Sequence, residues 1–189
     1  MDKQQRIINA AIKLFKDKGI EGTKISDITK EAHIALGTYY LYFPSKLALM
    51  PAITNVMIQD MMQAITQNVP ETAPIDKKLE ILVDTVFAVT KDQKQLVKII
   101  YTGLSASDYL ADWVNAYIPY YDWLTKQLEL AIQNNEIDLP IETMQTSKIL
   151  YGLIESAAER AYLFDEKNEE LIVQDKQDVL CFINKVMAR

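Results

Sequence analysis

The chain has 189 residues, 49% of them hydrophobic and 24% charged, with a net charge of −6. That supplies a sizeable core and excludes a disordered chain, while no apolar run reaches the ~18 residues of a membrane span and the polar start offers no secretory signal, so a cytoplasmic protein is expected. One cysteine and one histidine exclude an internal disulfide and a Cys/His zinc site, and five glycines with six prolines favour long helices over a sandwich or barrel rich in turns.

In chain order, Ile7, Ile8, Ala11, Ile12, Leu14 and Phe15 recur at helical spacing and predict a first helix over about 3–18, stopped at Gly19. Ile25, Ile28 and Ala32 predict a short second helix, and residues 36–42 a third, ended by Pro44. Ser45 caps a fourth helix to about Gln67, with Pro51 expected to bend or strain its start. Beyond a break at 69–74, helices are expected near 75–90, 93–103, 107–134, 141–164 and 168–187, with Lys91-Asp92 among the polar or helix-breaking separators and a bend at Pro119. The expectation is an all-α chain of about nine helices: a head over 1–46 and a larger body over 47–189.

Charge divides along the same line. Residues 1–46 carry eight basic against five acidic side chains, a net +3, and the remainder is −9. A basic head on an acidic body approaches phosphates in one orientation.

Helix two, the turn His33-Ile34-Ala35 and the helix from Leu36 form a helix-turn-helix, whose second helix enters the DNA major groove. The stretch from Leu36 to Lys46 holds a small residue, hydroxyls and a lysine. Gly37 allows close backbone approach, Thr38, Tyr40 and Tyr42 offer hydroxyls to phosphates or base edges, and Lys46 a full charge. Tyr39 and Leu41, interleaved with that set, are expected in the core.

Ile-x-x-Ala-Ile-x-Leu-Phe at 8–15, Gly19-Ile20-Glu21-Gly22-Thr23, Ile25-x-Asp27-Ile28 and Gly37-Thr38-x-Tyr40-x-Tyr42-Phe43-x-Ser45-Lys46 together resemble the Tet repressor (TetR) family of bacterial transcriptional regulators. The resemblance implies a homodimer whose heads bind a palindromic double-stranded DNA operator and whose body binds a small-molecule effector that releases it. It carries DNA contacts onto Thr23 or Lys24, and onto Leu36, Gly37, Thr38, Tyr40, Tyr42 and Lys46. Three positions depart from the family pattern. Ala35 replaces a capping serine, a loss of ~1 kcal/mol. Leu36 replaces a polar or basic residue, leaving it at best a thymine-methyl contact. Lys24 replaces a threonine. His33 stands where the family prefers glycine and reads as a turn histidine; Cys181 reads as a buried, idle thiol in an apolar helix.

In the body, Tyr109, Trp113 and Tyr117 share a helical face, and Tyr120, Tyr121 and Trp123 extend the aromatic run. These rings either fill a core or line a ligand pocket with Met57 and Met61 of helix four. Asp108, Asp112, Glu155 and Glu159 are the nearest acids: facing inward they suit a cationic aromatic compound, facing solvent they leave a neutral apolar one. By the same resemblance the last two helices form the dimer interface, with Gly152, Ser156, Ala157 and Ala161 on a narrow face and Leu171, Val179, Ile183 and Val186 as apolar packing. The reading is a ligand-responsive regulator, with a DNA-bound structural or protein-recruiting module as the alternative. No catalytic constellation, metal-ligand set or cofactor loop is present, so no enzyme activity, metal or cofactor is expected.

Overall fold

Asp2 opens the first helix, accepting the Gln5 N–H at 2.7 Å in the computed structural model, which describes residues 2–104, 114–165 and 167–187. These residues fold into helices, with no strand among them. The chain divides into two compact units, one of Met1–Ile58 with Gln95–Ala116, the other of Gln59–Lys94 with Tyr117–Arg189. The boundary expected after residue 46 falls inside the first.

In the first unit, α1 (Lys3–Lys18) buries Ile7, Ile8, Ala11, Leu14 and Phe15. It ends at Gly19, whose φ of +73° turns the chain away at no steric cost. A Cβ at Gly22 would stand 2.4 Å from the Lys18 carbonyl oxygen, so this turn requires glycine. Helix α2 (Ile25–Glu31) packs on α1, and α3 (Leu36–Tyr40) packs on α2. A 3-10 turn over Leu47–Leu49 leads into α4 (Met50–Asn68). The strain expected at Pro51 is thereby avoided: the α-helix starts at Met50, and proline in a first turn forfeits no intrahelical hydrogen bond.

Helix α5 (Ile75–Leu104) runs unbroken through Lys91-Asp92, where the sequence suggested a separator. Both residues keep their backbone donors, and both are exposed, so the pair is a polar face of one helix. The last turns of α5 belong to the first unit. There Gly103 is buried, and a Cβ on it would fall 2.2 Å from the Met50 sulfur and 3.2 Å from Ile20 Cδ1.

The second unit is built from the first part of α5 with α6 (Ile118–Gln133), α7 (Thr143–Glu159) and α8 (Glu169–Met187). Helical residues 114–116 are interrupted by a turn at Tyr117, and Pro119 sits in the first turn of α6, so the chain breaks beside the position where a bend was expected. Fully buried Leu82, Val83, Val86, Phe87, Tyr120, Leu128, Ile154 and Ile183 form the core of this unit. Glu136 reaches back to accept the Ile75 N–H at 2.7 Å, satisfying an orphan donor at the start of α5. Ion pairs Lys91–Glu169 (2.9 Å) and Lys176–Asp84 (2.8 Å) join α5 to α8. A π-helical turn, Arg160–Phe164, closes α7.

Candidate nucleic-acid interface and effector site

The helix-turn-helix is held by two contacts at its turn. His33 adopts φ +51°, the left-handed conformation that explains why glycine suits this position. The N–H groups of His33 and Ile34 return to the carbonyls of Lys30 and Thr29, a Schellman closure of α2. Arg6 of α1 donates to the carbonyls of Ala32 and His33, so its guanidinium covers the negative end of α2. Ala35 gives α3 no side-chain cap. At the start of α2, Lys24 likewise caps nothing, and its N–H donates to Asp27 Oδ2 at 3.2 Å.

What holds so short a helix in place is Tyr39. Its ring is fully buried beside Phe43, with centroids 5.9 Å apart, and its hydroxyl donates to the Ser45 carbonyl at 3.0 Å. Leu41, expected beside it in the core, is 83% exposed. Neighbours two apart on a helix lie about 200° apart, so Tyr39 shares its side with Phe43 and not with Leu41. Anchoring one face leaves the other outward: Leu36, Tyr40 and Tyr42 are 51%, 52% and 41% exposed. Thr38 is half-buried among them, and a Cβ at Gly37 would meet no atom within 4 Å. Lys24 is exposed as well.

Thr23 and Lys46, expected at the phosphates, are turned inward. Thr23 is 1% exposed and its hydroxyl donates to the carbonyls of Gly19 (2.8 Å) and Leu14 (3.3 Å). The Lys46 ammonium donates to the carbonyls of Ile20 (2.5 Å) and Thr23 (2.9 Å). Both serve the turn between α1 and α2, whose carbonyls need donors once the chain leaves the helix.

Of the rings expected around a ligand, Tyr109 and Trp113 lie outside the described residues, as do Asp108 and Asp112. In the first unit Met57 is buried on α4, and in the second Met61 is buried on the same helix. Trp123 is half-buried on α6. Tyr117 and Tyr120 are buried in the second unit, and the structure joins to them Tyr121 of the same aromatic run and one tyrosine the sequence did not single out. Tyr151 of α7 lies 4.0 Å from Tyr120, 5.3 Å from Tyr117 and 5.8 Å from Tyr121, centroid to centroid. The signal was present in the i, i+4 pair Tyr151 and Glu155, whose partner rings lie thirty residues away on another helix.

Glu155 is the polar centre of this cluster. The Tyr151 hydroxyl donates to Glu155 Oε1 at 2.5 Å, and Tyr117 adds a second hydrogen bond to its carboxyl. Burial outweighs both bonds, and with nearby Glu159 it pushes the carboxyl up to about 7. The phenols of Tyr120 and Tyr151 are raised well above their ordinary value, by burial first and then by the charge of Glu155. Tyr120 Oη is fully buried with no hydrogen-bond partner among the described residues, an arrangement that costs about 1–3 kcal/mol. A separate cleft of about 360 Å³ lies in the same unit, lined by Pro74, Ile75, Leu79, Ile137 and Met187 with Asp76, Glu136 and Asn184.

Of the expected interface residues, Gly152 and Ser156 are exposed and Ala157 is half-buried. Ala161, Val179 and Ile183 are already buried within the single chain, because they face the core of their own unit. The apolar surface left open on α7, the π turn and α8 comes from Leu171 and Val186, both expected at the interface, together with Ile149, Phe164, Val173 and Phe182. Cys181, expected in the core, is exposed, since the buried stripe of α8 runs through Val179, Ile183 and Met187 and leaves 181 on the far side.

Among the described residues no helix is long and apolar enough to cross a membrane, and no group of three or more His, Cys, Asp or Glu could hold a metal ion. Residues 7–53 match the family model described as bacterial regulatory proteins, tetR family, and residues 79–187 match that of the tetracyclin repressor-like C-terminal domain. The HTH-type transcriptional regulator YvdT of Bacillus subtilis is 34% identical over 98% of this chain and 95% of its own. Two solved structures share the fold. They are the transcriptional regulator FadR from Bacillus subtilis in complex with stearoyl-CoA (TM-score 0.71, 23% identity, 95% and 96% of the two chains) and Thermus thermophilus FadR in complex with lauroyl-CoA (0.74, 19%, 95% and 92%).

Proposed function

The chain belongs to the TetR family of transcriptional regulators, and on that premise we propose that it is a homodimeric repressor released from a palindromic operator by a small molecule, apolar or cationic and aromatic. The observation that carries this reading is the outward face of α3. Leu36, Tyr40 and Tyr42 are large, partly apolar side chains held in solvent by a helix pinned through Tyr39, and solvent-facing anchors of this kind mark a binding surface. With Gly37, Thr38 and the exposed charge of Lys24, the face offers a close backbone approach, hydroxyls for phosphates and apolar contact for thymine methyls. Thr23 and Lys46 serve it from behind by bracing the turn before α2. The regulator acts in the cytoplasm.

The open apolar residues of α7 and α8, together with Gly152, Ser156 and Ala157, supply the surface for a second copy. Dimerisation sets two recognition helices ~34–36 Å apart, one DNA turn. The FadR chains of the same fold were solved with acyl-CoA molecules, which supports a body that holds an effector. The effector acts only through a difference in its affinity for the DNA-bound and released arrangements.

The test is retardation of a duplex from upstream of the protein's own gene. Wild type binds it, and Tyr42→Ala weakens binding about tenfold or more at unchanged thermal stability, the order expected for losing one buried contact of ~1.4 kcal/mol. Equal binding by the variant would remove this face from the interface.

A further inference from the structure

Resting on the reading of the body as an effector domain, we propose that Glu155 and the phenols of Tyr117, Tyr120, Tyr121 and Tyr151 form a recognition site for an organic cation, a protonated or quaternary amine on an apolar or aromatic body. The seven ion pairs among the described residues engage other acids, and none involves Glu155. A carboxylate enclosed by protein is ordinarily paired with a cation. Here its partners are the hydroxyls of Tyr151 and Tyr117, set in a cluster of tyrosine rings whose quadrupoles attract a cation. Tyr120 Oη, buried and unpartnered, is a second polar group that a ligand would satisfy. A purely apolar ligand would leave Tyr120 Oη unmet and bring Glu155 no counter-charge.

Among the described residues, the groups that reach Glu155 by charge or hydrogen bond are Tyr117 just before α6, Tyr120 and Tyr121 on α6, and Tyr151 and Glu159 on α7. No lysine, arginine or histidine among the described residues does so. Burial, and after it the charge of Glu159, disfavours the ionised form, so Glu155 keeps its proton to near neutrality. An incoming cation replaces that proton. Its apparent affinity therefore scales with the ionised fraction of Glu155, rising as pH passes upward through about 7 and levelling above it.

The experiment is calorimetric titration of the full-length protein with phenyltrimethylammonium, whose charge is permanent, so that any pH dependence belongs to the protein. The neutral isostere tert-butylbenzene is the control. Wild type is expected to bind the cation about tenfold more tightly at pH 8 than at pH 6, the change in ionised fraction of a group titrating near 7. The isostere should show no such dependence. Glu155→Gln, with circular dichroism and melting confirming its fold, should bind the cation at least fivefold more weakly at pH 8, with a flat pH profile. Tyr151→Phe removes a hydrogen bond to the ionised carboxylate and should move the midpoint of the profile upward.

Equal binding by wild type and Glu155→Gln, a pH-independent wild type, or no preference for the cation over the isostere overturns the proposal. Retardation of the duplex by the same preparation separates this from the regulator reading. A protein that binds DNA and is released by a neutral or anionic compound such as lauroyl-CoA keeps that reading and loses the cation site. One that binds no duplex loses the regulator reading whatever the calorimetry gives.

Discussion

Lys24 and Lys46 carry the same charge and do different things. Lys24 is exposed at the start of α2, and its side chain makes no cap hydrogen bond there, whereas Lys46 spends its ammonium on the carbonyls of Ile20 and Thr23. Lys24→Ala should therefore lower the slope of log affinity against log salt by about 0.9, the effect of one released counterion, and leave the melting temperature unchanged. Lys46→Met should leave the slope nearly unchanged and cost about 1.5–3 kcal/mol of head stability, the worth of a charged hydrogen bond, seen as a lower melting temperature. A lost slope for Lys46→Met would return that residue to the phosphates. The sequence could not separate the two. A motif records that a lysine is required at 46, and a required lysine serves a phosphate or a turn equally well until its partners are known. Leu41 and Cys181 show the same limit: each sits in an apolar stretch, and only the phase of the helix decides that Leu41 and Cys181 face out while Tyr39 and Val179 face in.

Elements were more legible than residues where their boundaries rest on backbone chemistry. Helix α1 could be read whole, from its apolar spacing to the glycine with φ +73° that ends it, since only glycine takes that conformation freely. Lys91-Asp92 misled because a charged pair resembles a linker, yet it removes no hydrogen bond and α5 passes through it. One consequence of the continuous helix is that its last turns reach the first unit, where Gly103 lies against Met50 and Ile20. Nothing in the sequence marked this, since the contact joins residues more than fifty positions apart. Gly103→Val should destabilise the protein by about 1–3 kcal/mol through overpacking, and pairing it with Met50→Ala should recover part of the loss, both read by thermal unfolding. Additive losses in the double variant would show that the two side chains do not meet.

At the scale of the whole molecule, what the single chain buries and what it leaves open divide the apolar residues of α7 and α8 into two sets. Ala161, Val179 and Ile183 hold the unit together; Ile149, Phe164, Leu171, Val173, Phe182 and Val186 remain outside. The sequence displayed one helix apolar around much of its circumference without saying which side belonged to the core. If the chain dimerises through the proposed face, Phe182→Asp should yield a monomer by sedimentation while keeping helical content, and DNA affinity should drop by two orders of magnitude or more, since one recognition helix then binds without the other. A dimeric Phe182→Asp would move the interface elsewhere. Charge is divided along the chain as well: residues 1–46 carry a net +3 and the remainder −9, so phosphates attract the first segment and repel the rest.

Selection of duplexes from a random pool by the purified protein tests the central claim most directly, because it asks for both symmetry and groove reading at once. Two copies of the α3 face should enrich an inverted repeat with half-site centres about one helical turn apart, ~10 base pairs. Recovery of a lone half-site, or of sequences no different from the starting pool, would contradict the account.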